Sequence, residues 1–113
     1  MKRGDIWSAD LRGGTGFEVG KRRPAVIVSK DIIHAISPTV IIVPLSLQAY
    51  SILGPERVLI HRKDANLTKD SVALVTQIRA IDKTRLVKKM GSLPREVMQE
   101  IEKAIKVILD LQK

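Results

Sequence analysis

Short apolar runs separated by turn signals limit this chain to a small, mainly β fold. About six runs are rich in β-branched residues and are bounded by Gly, Pro, Asn or charged residues. They lie at 5–11, 24–29, 39–47, 57–61, 71–78 and 87–93, with a charged link at 62–70. Helical turns fit 30–36 and 79–86, but strands and helices do not alternate regularly as in a parallel sheet. The pattern predicts a mainly β, α+β fold with a bent antiparallel sheet or small barrel.

A C-terminal helix is the clearest single element in the sequence. Pro94 suits the first helical position, where its missing N–H leaves no hydrogen bond unmade. Apolar residues then recur at spacings of three and four and form one stripe; they are Val97, Ile101, Ala104, Ile105, Ile108 and Leu111. We expect this helix to pack on the sheet. No apolar run approaches the length of a membrane span, so no membrane partner is predicted.

The charge of the chain favours a polyanionic partner. Its 113 residues carry 20 Lys and Arg against 12 Asp and Glu, which gives a formal net charge of +8. Such a charge on a small domain attracts nucleic acid and steers its approach. The aromatic residues are only Trp7, Phe17 and Tyr50, too few for the stacking surface of many single-strand binders. Hydrogen bonds, arginine planes and phosphate contacts would therefore have to hold an RNA.

Residues that hold metals or form disulfides are scarce. Cysteine is absent and the only histidines are His34 and His61, which excludes disulfides, thiolate catalysis and Cys-ligated zinc. No cluster of carboxylates suggests a metal site, so no metal or other cofactor is predicted. We expect the whole chain, 1–113, to form one domain. The N-terminus lacks an apolar signal segment, so a cytoplasmic location is predicted.

The segment 13–29, GGTGFEVGKRRPAVIVS, is the best candidate for a functional site. Its glycines permit positive φ or a close approach of the backbone to a ligand. Glu18 is followed by the cations Lys21, Arg22 and Arg23, and then by a proline. That proline suits the start of a strand and favours an extended Arg23. Arg23 is therefore predicted at the junction of a loop and a rigid strand, although glycine-rich turns and surface arginines are also common without any function.

Several segments, taken in order, resemble one known family. They are RGDIW at 3–7, Gly16-x-Glu18 followed by RRPAVIVS at 22–29, VPLS at 43–46, DSVALVTQIRAIDKTRL at 70–86, and Gly91-x-Leu93 before the helix. Together they make the chain similar to the MazF/PemK/Kid family of toxin endoribonucleases, the toxic halves of bacterial toxin–antitoxin pairs. The resemblance implies a small SH3-like antiparallel β-barrel with helices, a homodimer, and inhibition by a cognate antitoxin. It also implies metal-independent cleavage of single-stranded RNA such as mRNA, often at short preferred sequences.

The same resemblance assigns roles to individual positions. The family's catalytic arginine falls on Arg23, its catalytic threonine on Ser46, and its loop glutamate on Glu18. A serine and a glutamine of the RNA groove fall on Ser71 and Gln77. The predicted RNA contacts are Gly16, Phe17, Lys21, Arg22, Ser71, Gln77 and Arg79. Ser46 keeps the hydroxyl of the usual threonine but lacks the methyl group that restricts χ1, a departure that bears on rate more than on activity.

The chemistry of metal-free RNA cleavage suits these residue types. The 2′-OH must lose a proton as it attacks phosphorus, the 5′-oxygen must gain one, and the phosphorane charge must be neutralised. Arg23 can bind phosphate oxygens in a bidentate way but is a poor base, because an arginine pKa lies above roughly 12. Ser46 can hydrogen-bond the same phosphate. Glu18 either positions the 2′-OH or forms a structural ion pair with Lys21 or Arg22, and both interpretations stay open.

Structural alternatives stand beside the other assignments. Ser71 can equally cap a strand, and Arg79 can equally pair with Asp82. The two histidines lie in no matched motif and are predicted to be structural. The alternatives to a ribonuclease are a catalytically weak relative that binds RNA or antitoxin, and a relative of the same fold that poisons DNA gyrase. The pair Arg23 and Ser46 favours the ribonuclease, because a pure binding module needs no such pair.

Overall fold

The computed structural model describes residues 1–13, 20–47, 54 and 56–111. The strands in these ranges are β1 (Asp5–Asp10), β2 (Arg22–Ile27), β3 (Thr39–Ser46), β4 (Arg57–Ile60), β5 (Ser71–Leu74), β6 (Arg79–Asp82) and β7 (Leu86–Ser92). The helices are α1 (Asp31–Ile36), α2 (Arg62–Ala65) and α3 (Arg95–Ile108), with 3-10 turns at Val75–Gln77 and Lys83–Arg85. The predicted mainly β fold with a C-terminal helix is confirmed.

The strands form an antiparallel sheet in the order β4-β5-β3-β2-β1-β7, and β6 also pairs with β3. The first half of β3, 39–42, pairs with β6, whereas its last residues, 45–46, pair with β5. Pro44 lies between these two parts, so its missing N–H interrupts neither pairing. Pro44 therefore marks the point where β3 changes partner.

Two segments differ from the sequence prediction because tertiary contacts decide their conformation. The segment Arg79–Asp82, expected in a helical turn, is a strand because it pairs in register with 39–42 of β3. The segment 62–70, expected as a link, begins with α2. Asp70 Oδ1 accepts a hydrogen bond from the Arg62 N–H at 2.9 Å, which joins the two ends of this segment. Asn66 ends α2 in the left-handed conformation, with a φ of 54°.

Two further boundaries are shorter than predicted. The strand expected at 71–78 ends at Leu74, where the chain tightens into a 3-10 turn. The apolar stripe of the C-terminal helix ends at Ile108, and Leu111 lies beyond the helix with an exposed side chain. None of the helices in the described ranges is long and apolar enough to cross a membrane.

Two apolar clusters hold β2 from its opposite faces. Alternate residues of a strand point to opposite faces, so Val26 joins one cluster while Ala25 and Ile27 join the other. The cluster that contains Val26 also takes in Ile101 and Ala104 of α3. Because all three β2 residues are fully buried, the strand is a rigid support for the polar residues at its start.

Candidate functional site

Arg23 and Ser46 lie in one cleft at the open end of the β2–β3 pair. The register pairs Ala25 with Pro44, and continuing it by two residues places Arg23 opposite Ser46 on the same face of the sheet. The cleft, called here the arginine cleft, has a volume of about 230 Å³. Its lining residues are Lys21, Arg22, Arg23, Pro24, Leu45, Ser46 and Leu47. The pair to which the family resemblance assigns catalysis is thus brought together.

Backbone carbonyls hold the Arg23 guanidinium in place. Nε donates to the Gly20 carbonyl at 3.0 Å, and Nη1 donates to the Leu45 carbonyl at 3.4 Å. No carboxylate of the described residues forms an ion pair with this guanidinium. Partial burial lowers the pKa of Arg23 from its usual value, although arginine remains charged at neutral pH. A fixed, partly desolvated cation with unused donors is well suited to bind an anion.

A strained turn precedes this arginine. Lys21 has a φ of 66°, in the left-handed region that side chains other than glycine rarely adopt. The Lys21 carbonyl accepts a hydrogen bond from the Leu11 N–H at 2.8 Å, which ties the turn to the end of β1. Such strain persists where the surrounding structure over-determines it, often at functional sites. The turn presents the Gly20 carbonyl to Arg23.

Arg22 lies beside a carboxylate that is already neutralised. Its cross-strand partner is Asp10, which binds the Arg12 guanidinium with a shortest N–O distance of 2.6 Å. Hydrogen bonds from Arg12, with its charge and that of Arg22, lower the pKa of Asp10 to about 2. The carboxylate therefore remains charged and paired with Arg12, and it does not form an ion pair with Arg22.

Three predicted RNA contacts lie outside the arginine cleft. Ser71 is buried and its hydroxyl donates to the Lys69 carbonyl at 3.3 Å, the strand-end role that was the alternative. Gln77 and Arg79 line a separate cleft of about 280 Å³, and Arg79 pairs with Ile42 in the middle of β3. Asp82 accepts from Thr84 at 2.9 and 2.7 Å, and no ion pair between it and Arg79 occurs in the described ranges.

Other predicted residues have simpler outcomes. Gly16, Phe17 and Glu18 lie outside the described residues, so their assignments remain predictions. His34 is buried in α1, where its Nε2 lies 3.2 Å from Asp31 Oδ1. His61 is exposed and directly precedes α2. Among the residues that the structure describes, no three His, Asp or Glu side chains are grouped closely enough to hold a metal ion.

A second groove, which sequence reasoning missed, adjoins the arginine cleft and shares Arg22, Arg23 and Pro24 with it. This lysine groove has a volume of about 460 Å³. Its lining residues are Ser8, Arg22, Arg23, Pro24, Asn66, Thr68, Lys88, Lys89 and Met90. The two adjacent lysines in the predicted last strand were the available signal. Whether these lysines line a groove depends on the pairing of β7 with β1, which is a contact between distant segments that no local pattern reveals.

The fold and the site define a small antiparallel β protein with a cationic cleft at one end of its central strands. A model of PemK-like, MazF-like toxins of type II toxin–antitoxin systems matches residues 2–109. The chain is 38% identical over 111 residues to endoribonuclease EndoA of Bacillus subtilis (strain 168), covering 98% of this chain and 96% of the relative. The chain therefore belongs to the PemK-like and MazF-like toxin family.

Solved structures agree with this fold. MazF from Deinococcus radiodurans matches with a TM-score of 0.83 and 22% identity, over 97% of this chain and 96% of that chain. An endoribonuclease from a mycobacterial species, solved in complex with its cognate antitoxin, matches with a TM-score of 0.81 and 24% identity, over 100% of this chain and 98% of that one. The SH3-like barrel type of fold implied by the resemblance is thereby confirmed.

Proposed function

We propose that this protein is the toxin of a toxin–antitoxin pair and cleaves single-stranded RNA at preferred sequences without a metal ion. The observation that carries the proposal is the shared cleft of Arg23 and Ser46, at the end of two rigid strands. The 38% identity to an endoribonuclease over nearly the whole chain supports it, as does the net charge of +8.

In the proposed reaction the scissile phosphate lies against the Arg23 guanidinium. The ribose 2′-oxygen loses its proton and attacks phosphorus, the bond to the 5′-oxygen breaks, and that oxygen takes up a proton. The products are a 2′,3′-cyclic phosphate and a 5′-hydroxyl. Arg23 neutralises the charge that develops on the phosphorane, because its position is fixed before the substrate arrives. The Ser46 hydroxyl donates to a phosphate oxygen.

Glu18 is proposed either to accept the proton of the 2′-OH or to position this hydroxyl for attack. Arg23 is not the proposed base, because even a lowered arginine pKa leaves it protonated at neutral pH. The proposal is tested by Glu18→Gln, which removes the acceptor while keeping the size of the side chain. A loss of activity with an altered pH–rate profile supports the role, whereas an unchanged profile rejects it.

The central experiment incubates the protein with varied single-stranded RNAs in EDTA. Wild type should cut, whereas Arg23→Ala should cut about 10²- to 10³-fold more slowly, the usual effect of removing a preorganised charge donor. Ser46→Ala should lose roughly 10- to 100-fold. Arg95→Ala, at an exposed helix position, is the matched control. Activity that survives Arg23→Ala would reject the assignment, and cleavage that needs an added metal would reject the metal-free mechanism.

A cognate antitoxin is the proposed inhibitor, and an acidic extended segment is its proposed contact with the arginine cleft. The mycobacterial relative was solved with its cognate antitoxin, and an acidic segment would compete with RNA for the same cations. Inhibition by such a segment that weakens as the RNA concentration rises is the expected result. Inhibition independent of RNA concentration would place the antitoxin elsewhere.

A second copy of the chain is the proposed occupant of an apolar cleft of about 450 Å³ at the other end of the β2–β3 pair. Its lining includes Val28, Ile41, Ile78, Ile105 and Leu111, of which Ile41 and Leu111 are 38% and 57% exposed. Contiguous exposed aliphatic surface of this kind marks association sites. Light scattering should report a dimer that Ile41→Glu converts to a monomer; a wild-type monomer would contradict the proposal.

A further inference from the structure

The lysine groove continues from the arginine cleft across three neighbouring strands. Ser8 pairs with Pro24 on one side and with Lys88 on the other, so these residues form one row on one face of the sheet. Adjacent strands lie about 5 Å apart, which places the backbone of Lys88 roughly 10 Å from that of Pro24. The row is therefore long enough for Lys88 to contact a group other than a phosphate bound at Arg23.

The charge of the lysine groove is largely uncompensated among the residues that the structure describes. Lys88 is exposed, and within these residues neither it nor Arg22 forms an ion pair. Lys89 is different, because its Nζ lies 3.6 Å from Oδ1 of the buried Asp5. None of the described lining residues is a carboxylate. An anion would thus meet positive charge along the whole groove.

The opposite wall of the groove is built by a close contact between α2 and β7. Gly91 packs against the Ala65 carbonyl so tightly that a Cβ on Gly91 would collide with it. This contact brings Asn66, which ends α2, and Thr68 to the side of the lysines. Their polar side chains can hydrogen-bond to sugar or phosphate oxygens.

We infer that the lysine groove binds the backbone phosphates of the RNA segment that flanks the cleaved bond. This inference rests on the proposed function and extends its substrate site. Lysines supply point charges to phosphates, while Ser8, Asn66 and Thr68 supply neutral hydrogen bonds. The described residues of the lining include no aromatic side chain, so the proposed contacts are to the RNA backbone and not to stacked bases. The groove therefore adds affinity without sequence preference, and the preferred sequence is read elsewhere in the site.

A structural explanation of the same lysines makes a different prediction. In the described part of the chain β7 is an edge strand that pairs only with β1. Lysines on an edge strand protect it from pairing with other chains. That role explains exposed lysines, but it does not require a groove with polar side chains on its other wall or continuity with the arginine cleft.

The test measures binding of a 2′-O-methyl RNA, which lacks the attacking 2′-OH, over a range of salt concentrations. Wild type is compared with Lys88→Gln and with Lys103→Gln, which removes the same charge from an exposed position of α3 that lines neither cleft. Lys88→Gln should weaken binding several-fold at low salt. It should also reduce the slope of log affinity against log salt by about 0.7, the contribution of one phosphate contact on a single strand. Lys103→Gln should change neither quantity.

Two further measurements make the test specific. The loss caused by Lys88→Gln should be the same for RNAs of unrelated sequence, and it should vanish when the RNA is shortened on the side that enters the groove. A salt slope equal to that of wild type would overturn the inference, even when wild type cleaves RNA. A wild type that cleaves no RNA instead fails the proposed function, so the two failures are distinct.

Two other outcomes would also overturn the inference. Aggregation of Lys88→Gln with unchanged RNA affinity would assign the lysine to edge protection. Weaker binding of an acidic peptide with unchanged RNA affinity would assign the groove to a protein partner.

Discussion

The two ends of the β2–β3 pair are joined by different hydrogen-bond donors, which are backbone N–H groups at one end and an arginine side chain at the other. At one end the Val28 N–H donates to the Ile41 carbonyl at 3.0 Å, and the Ser29 hydroxyl accepts from the Ile41 N–H at 3.2 Å. At the other end the side chain of Arg23 donates to the Leu45 carbonyl at 3.4 Å. The hydrogen bonds at the first end use only backbone groups and a buried hydroxyl. The second uses a cation that keeps further donors for a ligand.

This difference separates stability from binding along one pair of strands. Ser29 is 7% exposed and lines neither the arginine cleft nor the lysine groove, so a change there disturbs buried hydrogen bonds and leaves both of these clefts intact. Arg23 borders two clefts, so a change there removes charge from both. We therefore expect substitutions at the two ends to affect different measurements.

The largest effect is expected from Arg23→Lys. Lysine keeps the charge, but its ammonium cannot reproduce the planar fork that reaches both carbonyls and a phosphate. RNA cleavage should fall about 10²- to 10³-fold, while the free energy of unfolding should change by less than about 1 kcal/mol. Single-turnover cleavage and urea unfolding measure the two quantities. Activity close to that of wild type would show that charge alone is required at this end.

Ile42→Ala tests the middle of the same pair, where Ile42 is fully buried and pairs with Ile27. The lost contacts and the remaining cavity should lower the free energy of unfolding by about 2–5 kcal/mol. Cleavage per folded molecule should stay near the wild-type value, because Ile42 lines neither the arginine cleft nor the lysine groove. A fall in activity beyond the folded fraction would show that the core also sets the geometry of the site.

A pair of serine substitutions compares the two ends directly. Ser29→Ala leaves the Ile41 N–H without its buried acceptor and should cost about 1–3 kcal/mol of stability with no change in cleavage. Ser46→Ala, at the partly exposed end, should slow cleavage and cost less than about 1 kcal/mol of stability. Thermal melting and single-turnover kinetics on both variants check this reciprocal pattern. The same response from both serines would contradict the division of roles.

The smallest effect is expected from Asp10→Asn. The pKa of Asp10 is lowered to about 2 by Arg12, so the charged carboxylate stabilises the fold at pH values above its ordinary pKa near 4. That contribution is lost as the pH falls through about 2. Wild type should therefore melt slightly above Asp10→Asn at pH 6, and the difference should disappear near pH 2. A difference in melting temperature that persists at pH 2 would show that the substitution changes packing and not a charge interaction.

Much of the fold follows from local sequence patterns. The parts that local patterns did not predict have one cause in common, which is that their conformation depends on contacts with distant segments. The runs that became β1, β3, β4 and β7 and the stripe of α3 lie close to where the pattern predicts them, because apolar residues of each pack in the two clusters. The strand at Arg79–Asp82 could not be distinguished from a helical turn, because only its pairing with β3 makes it extended. The four-residue α2 is likewise too short to carry a period, and it depends on Asp70 eight residues away.

The residues of the site also divide into those that neighbouring sequence predicts and those that depend on contacts with distant segments. Arg23 could be predicted because the proline after it and the glycines before it are neighbours in sequence. That Ser46 would face it required the register of β2 with β3, which the sequence pattern does not contain and the family resemblance supplied. Lys88 and Lys89 could not be placed, since an alternating strand has two faces and either can meet a neighbour.

The change of partner at Pro44 means that the two candidate catalytic residues are held by different sets of strands. Arg23 belongs to the array of β1, β2 and β7, whereas Ser46 is paired with Val72 of β5. Pro44 has no N–H to donate and lies between the residues of β3 that pair with β6 and those that pair with β5, so the angle between these two pairings can shift without the loss of a hydrogen bond from its nitrogen. Substitutions that repack β4 and β5 would then alter the width of the arginine cleft while leaving every residue in it unchanged. Related chains can differ in the width of this opening through their cores alone.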